Sequence, residues 1–337
     1  MSFKRFDTED IAISAESVVA PAWTGQLSTL TAVHTGSQTI LSSGQYYYNI
    51  YDKNPTIYPD TAEIQFSLAY GNKNGSGSVL INPGEVGKSP SSVIYGQYRT
   101  LVNGDEDKNI TFNGYEPNSI FALTVNRSRY KEKLLPASFN LTLSGSAGKI
   151  QLTDNSLDIS TISYTDAGRV YELVSGSNGK AYAGSTTSGF TLNSGSYGKL
   201  LPDVGIVLLN ADALKDSTQG IGLVLNESSN TSTANNQNLF NAINLGKSFV
   251  LRSEETVTSN YVFVRVRNSE FNYSTNPSNI TGSGELRHTV MVNTPQSYVT
   301  TVGLYNDNND LLGVAKLSRP LLKDFNKEAL IRIKLDY

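Results

Sequence analysis

Few fragments of this chain have residue types and spacing that could do chemistry. Asn82-Pro83-Gly84-Glu85-Val86-Gly87-Lys88-Ser89 ends like a phosphate-binding loop, in which backbone N–H groups cradle phosphates. That motif needs a glycine five residues before its Gly-Lys-Ser, and Asn82 stands there. Pro83 removes one of the N–H donors, and Pro90 follows where the helix should begin. Gly246-Lys247-Ser248 repeats the ending with Asn241 in the glycine's place. Nucleotide binding is therefore not expected. The two histidines, His34 and His288, lie far apart in sequence, and a metal site built on them would need carboxylates to complete its shell. No Gly-x-Ser-x-Gly elbow marks a serine hydrolase. Asp105-Glu106-Asp107 and the pair Asp307 and Asp310 are the obvious acidic groups, but glycosidase carboxylates pair in space rather than in sequence. Leu311 falls where a calcium loop would need a ligand, so 306–310 reads as a hairpin turn. The residues predict no catalytic group, no cofactor and no metal.

Composition points the same way. Charged residues are 17% of 337 and the net charge is −3, which suggests no nucleic-acid partner. No apolar run approaches a membrane span, and the N-terminus lacks a signal-peptide core, so no membrane partner is expected. Cysteine is absent, which rules out disulfides and suits a reducing cytoplasm. Asn, Ser, Thr, Gly and 19 tyrosines favour strands and long turns over helices.

The elements that would position any site are best read from the C-terminus. In 329–337, Ala329, Ile331, Ile333, Leu335 and Tyr337 alternate with Arg332, Lys334 and Asp336, the period of a half-buried strand. Residues 298–305 and 311–317 flank Asn306-Asp307-Asn308-Asn309-Asp310 as a hairpin, followed by a connection broken at Pro320. Residues 1–20 read as an extended arm, with Phe3 and Phe6 either anchoring a core or reaching a neighbouring subunit. Strands are predicted at 45–51, 63–70, 92–102, 118–125, 139–143, 170–174, 204–209 and 261–267. A short helix is predicted at 238–243, on the spacing of Leu239, Phe240 and Ile243. If 126–133 is extended, Arg127, Arg129, Lys131 and Lys133 share one face. That stripe is either a solvated edge guarded by charge or a docking strip for an acidic patch such as Asp105-Glu106-Asp107. The predicted fold is mainly β, with antiparallel sandwich or barrel-like domains, long Gly/Ser/Asn-rich loops and few short helices. The predicted divisions are an arm (1–20), a β domain (21–135), a Gly/Ser-rich β region (136–255) and a C-terminal β module (256–337).

Several blocks carry a family likeness. They include Asn260-Tyr261-Val262-Phe263-Val264-Arg265-Val266-Arg267-Asn268-Ser269-Glu270-Phe271-Asn272-Tyr273-Ser274, Tyr298-Val299-Thr300-Thr301-Val302-Gly303-Leu304-Tyr305-Asn306-Asp307, Leu311-Leu312-Gly313-Val314-Ala315-Lys316 and Arg332-Ile333-Lys334-Leu335-Asp336-Tyr337. Tyr95-Gly96-Gln97-Tyr98-Arg99, Arg127-Ser128-Arg129-Tyr130-Lys131-Glu132-Lys133 and Pro202-Asp203-Val204-Gly205-Ile206-Val207-Leu208-Leu209-Asn210 add to them. Together these resemble virion structural proteins of large contractile-tailed bacteriophages, marine and cyanophage-like ones especially. The resemblance implies a non-enzymatic component of the virion, assembled in the host bacterial cytoplasm and stationed in the tail at the baseplate or a tail-end junction, or else at the neck or capsid. Implied partners are other virion proteins and further copies of this chain in a symmetric homo-oligomer. Phe3, Phe6, Arg127, Arg129, Lys131, Lys133, Arg332, Lys334 and Tyr337 are the expected interface residues. A different class is a tail protein that binds or depolymerises host glycans, with Tyr46, Tyr47, Tyr48, Tyr51 and Trp23 as sugar platforms.

Overall fold

The computed structural model describes residues 4–36, 47–78, 89–182, 195–228 and 234–336. Among these residues strand outweighs helix, 44% against 14%, in large antiparallel sheets that include a curled half-barrel. The mainly β reading of the sequence is correct. Among the described residues no helix is long and apolar enough to cross a membrane. The chain divides into two compact units, a larger one at Val18–Glu255 and a smaller one made of Met1–Ser17 and Thr256–Tyr337. The N-terminal stretch read as an arm contains strand β1 (Ile11–Pro21).

In the larger unit the first strands are β2 (Thr29–Leu30), β3 (His34–Thr35), β4 (Tyr47–Tyr51) and β5 (Ile64–Asn72). Helix α1 (Pro90–Asn103) precedes β6 (Ser119–Val125) and the short β7 (Lys133–Leu134). The Gly- and Ser-rich middle third supplies β8 (Asn140–Gly145), β9 (Gly148–Asp154), β10 (Ser163–Thr165), β11 (Gly168–Ser177) and β12 (Lys180–Ala181). Then come β13 (Gly198–Leu201), β14 (Ile206–Asn210), α2 (Ala211–Lys215), α3 (Ala234–Gly246) and β15 (Phe249–Val250). One sheet runs in the order β2-β15-β8-β9-β11-β13-β14-β6-β5-β4-β3, with β10 and β12 paired to β11.

This sheet is buried on both faces, which explains its near-continuous apolar strands. On β6, Phe121, Leu123 and Val125 join one core while Ile120 and Ala122 join a second. On β14, Val207 and Leu209 join the first and Ile206 and Leu208 the second. Helix α3 covers the first face with Leu239, Ala242 and Ile243, and α1 covers the second with Tyr95 and Val102. The segment 92–102 is therefore not the strand that its sequence suggested. Pro90 sits at the start of α1, where a missing N–H costs nothing, and Gly104 closes the helix at φ 64 with its N–H on the Thr100 carbonyl. Tyr95 and Val102 stand two helical turns apart on the buried face.

In the smaller unit, Ser259–Val266 of β16 (Arg252–Val266) pairs antiparallel with β19 (Ala329–Asp336). A short helix, α4 (Val290–Asn293), precedes the hairpin of β17 (Gln296–Tyr305) and β18 (Leu311–Asp324). Its turn forms at Asn306, whose Oδ1 accepts from the Asn308 and Asp310 N–H groups, and Asn309 takes the left-handed conformation at φ 64. Pro320 does not break the connection as expected, because β18 runs through it. Pairing passes from Val299 with Leu321 to Thr301 with Lys316, and Pro320 lies in the bulge between, where no ladder donor is required. Val262, Ile331 and Ile333 form the buried centre, with Phe6, Val264, Val299, Val302, Leu304, Ala315 and Leu317 packed around it.

Candidate functional site

The predicted interface residues fall into two groups. Around Arg127 the extended stripe does not form. Asn126 Oδ1 accepts from the Ser128 N–H and starts a single 3-10 turn at Arg127–Arg129, so the side chains diverge. Arg127 lies 4.6 Å from the Tyr130 ring centroid and donates to the Tyr130 carbonyl at 2.6 Å. Arg129 pairs with Glu63 at 2.8 Å and donates to Thr24 Oγ1. A hydrogen bond from Thr24, helped by Arg129, holds the Glu63 carboxyl below its ordinary range. Lys131 reaches Glu255 at 3.6 Å, and Lys133 reaches Glu132 and Glu254 at 3.8 and 3.9 Å. Each of these cations is thus engaged within its own unit. Of the acidic patch offered as their partner, Asp105 pairs with Lys108 at 3.7 Å and accepts from the Asp107 N–H.

Arg332 and Lys334 are presented differently. Antiparallel register sets Phe263 opposite Arg332 and Tyr261 opposite Lys334 on one face of the β16–β19 pair, while Val262 with Ile333 and Val264 with Ile331 take the other. The Tyr261 ring centroid lies 5.5 Å from the Arg332 guanidinium and 5.9 Å from Lys334 Nζ. Lys334 also pairs with Asp336 at 3.2 Å, and Asp336 accepts from Ser259 Oγ at 2.6 Å. Arg332 and Lys334 are exposed, and their face is a cation–aromatic strip. Phe6 packs on the core of the same unit, and Phe3 and Tyr337 lie outside the described residues.

Further apolar surface accompanies that strip in the smaller unit. Ile13 is 71% exposed, Leu312 70%, Leu330 62% and Val314 60%, with Tyr298 and Val290 also prominent. Sequence reading singled out none of them as surface. Period two assigns residues to faces but does not say whether the second face of a ribbon is covered.

The remaining sequence fragments resolve into structural roles or fall outside the described residues. Residues 82–88 of the phosphate-loop fragment and Tyr46 belong to the latter. Pro90 does begin a helix, contrary to the sequence reading, although Asn82 still replaces the motif's first glycine. Lys247 follows the end of α3 at φ 57. His34 lies in β3 opposite Tyr51, and His288 belongs to the other unit. Among the described residues no group of three or more metal-binding side chains comes together. Trp23 and Tyr48 are no sugar platform, because both are core residues. The Trp23 ring packs on Phe66 and Phe249 and its Nε1 donates to the Phe249 carbonyl, while Tyr48 Oη donates to Gln237.

Two polar clusters escaped the sequence reading. In the larger unit, Ser119 Oγ donates to Glu227, accepts from Asn72 and bonds Tyr70 Oη, while Lys215 neutralises Glu227 at 3.1 Å and Tyr115 donates to Asp212. Burial pushes the Tyr70 and Tyr115 hydroxyls up to about 12. This network ties β5 and β6 to 226–228 with its partners satisfied. The second cluster surrounds Lys323 in the smaller unit, where a fully buried ammonium meets Asn268, Asn272 and Asp324. No sequence signal marks either, because each partner set is assembled from distant segments. No protein-family model, curated protein or solved structure matches this chain.

Proposed function

We propose that this chain is a non-enzymatic building block of a bacteriophage virion, working by protein–protein assembly in the contractile tail, at the baseplate or another tail-end junction. A station at the neck or on the capsid would use the same surfaces. The observation that carries the assembly reading is the imbalance of the smaller unit. Its buried apolar side chains among the described residues are Val262, Val266, Ile331 and Ile333, whereas Ile13, Tyr298, Leu312, Val314 and Leu330 lie open in a unit that also carries a cation–aromatic strip. Exposed apolar side chains together with Tyr and Arg are the composition of a contact surface. The phage assignment rests on the resemblance of the blocks at 260–274, 298–307, 311–316 and 332–337.

The test is proteomic and then structural. Purified particles of the phage that encodes the chain should contain its peptides in amounts matching several copies per virion, and a low-resolution particle map should place them. Particles free of those peptides would end the reading. Release of reducing sugar from host glycans by the purified chain would replace it with the depolymerase alternative.

A further inference from the structure

We propose that the smaller unit closes an intramolecular isopeptide bond between Lys323 Nζ and Asn272 Cγ. Both residues are buried, Lys323 at 0% exposure and Asn272 at 2%. Lys323 Nζ donates to Asn272 Oδ1 at 2.6 Å and to the Asn268 and Asp324 carbonyls, each at 2.9 Å. Asn272 Nδ2 donates to the same Asn268 carbonyl at 2.7 Å, so one oxygen holds both the attacking and the departing nitrogen. Among the described residues no carboxylate comes within ion-pair distance of Lys323.

A buried ammonium met only by neutral oxygens is an expensive arrangement, and amide formation removes the charge. Contact with Oδ1 brings Nζ to within about 3–4 Å of the carbon that bears it, close to the range of a near-attack contact. The step balances without a co-reactant. One ammonium proton passes to Asn272 Oδ1, to which Nζ already donates, and frees the Nζ lone pair to bond Cγ. The Cγ–Nδ2 bond then breaks with its electron pair on Nδ2. The two protons shed by the lysine ammonium leave on that nitrogen as ammonium ion. Exclusion of water from the pair suppresses the competing hydrolysis of the amide.

The bond would also answer a need of this unit. Its apolar centre is small and the chain has no cysteine, so no disulfide can staple it. A link spanning 51 residues would join the segment after β16 to β18 and restrict the unfolded chain as a disulfide does.

Intact mass under denaturing conditions tests this. The folded, aged protein should weigh less than its sequence by one molecule of ammonia, and digestion should yield a branched peptide carrying Asn272 and Lys323. Lys323→Arg and Asn272→Ala should each restore the full mass. A wild-type protein at full sequence mass overturns the proposal, as does an ammonia loss that maps to another asparagine. The branched peptide is sought in the wild type, so its presence or absence decides the matter even if both variants fail to fold.

Discussion

Asp154 shows how one buried carboxylate can shape this fold. It is fully buried at the end of β9, and its oxygens accept from the Ala137 N–H at 3.0 and 2.9 Å and from the Ser156 N–H at 3.1 Å. Those bonds hold Ala137 at φ 68, a left-handed conformation that alanine resists. Burial pushes the Asp154 carboxyl above its ordinary value, and the hydrogen bonds from Ser156 and Ala137 only partly offset it. A raised folded-state pKa means that the native protein keeps this proton to higher pH than the unfolded chain does. The contribution is therefore complete below the unfolded value of about 4 and is lost as pH rises through the folded value. Asp154→Asn should cost about 1–3 kcal/mol at low pH by weakening the acceptor set. Its disadvantage against wild type should shrink as pH rises toward neutrality, because the variant has no carboxylate to desolvate. Urea unfolding of both proteins across that range measures the slope, and parallel profiles would refute the assignment.

At the scale of elements, helix α3 offers the cleanest test of how the larger unit is closed. Leu239 is fully buried against the sheet and Leu245, on the same helix, is 61% exposed. Leu239→Ala should lose about 2–5 kcal/mol, and Leu245→Ala should stay within about 0.5 kcal/mol. Equal losses in chemical denaturation would mean that α3 is not packed by this face. Much of this level is legible in the sequence because burial follows period. The predicted helix at 238–243 lies inside α3, and the strand predicted at 118–125 overlaps β6. The segment 92–102 misleads because its tyrosines and valines favour strands, while the stop signal that decides it, Gly104, lies beyond the apolar pattern. The basic stripe misleads for a related reason. Alternating cations have a strand's period, but Asn126 turns the chain into a 3-10 turn before the alternation can act. Lys323 is illegible because its nearest side-chain partner lies 51 residues away.

At the scale of the whole molecule, the smaller unit presents an outward apolar face on its hairpin. Along β18 the side chains alternate, with Ala315 and Leu317 on the core and Leu312 and Val314 turned away from it. The outward pair belongs to a two-stranded hairpin, an element that gains little stability by itself and usually needs another surface. If assembly buries this face, charge placed there should disrupt association while leaving the fold intact. Leu312→Lys with Val314→Lys should change the melting temperature little, since each site lies in the exposed class where substitutions stay within about 0.5 kcal/mol. The same double variant should shift the mass measured by light scattering toward the monomer, and should be incorporated poorly into particles. Removing residues 330–337 should behave in the opposite way, because Ile331 and Ile333 leave with them and the core of the unit collapses into insoluble protein. An unchanged mass and normal incorporation for the lysine pair would show that water covers the face. The cation–aromatic strip of Tyr261, Arg332 and Lys334 would then be the surface on which assembly depends.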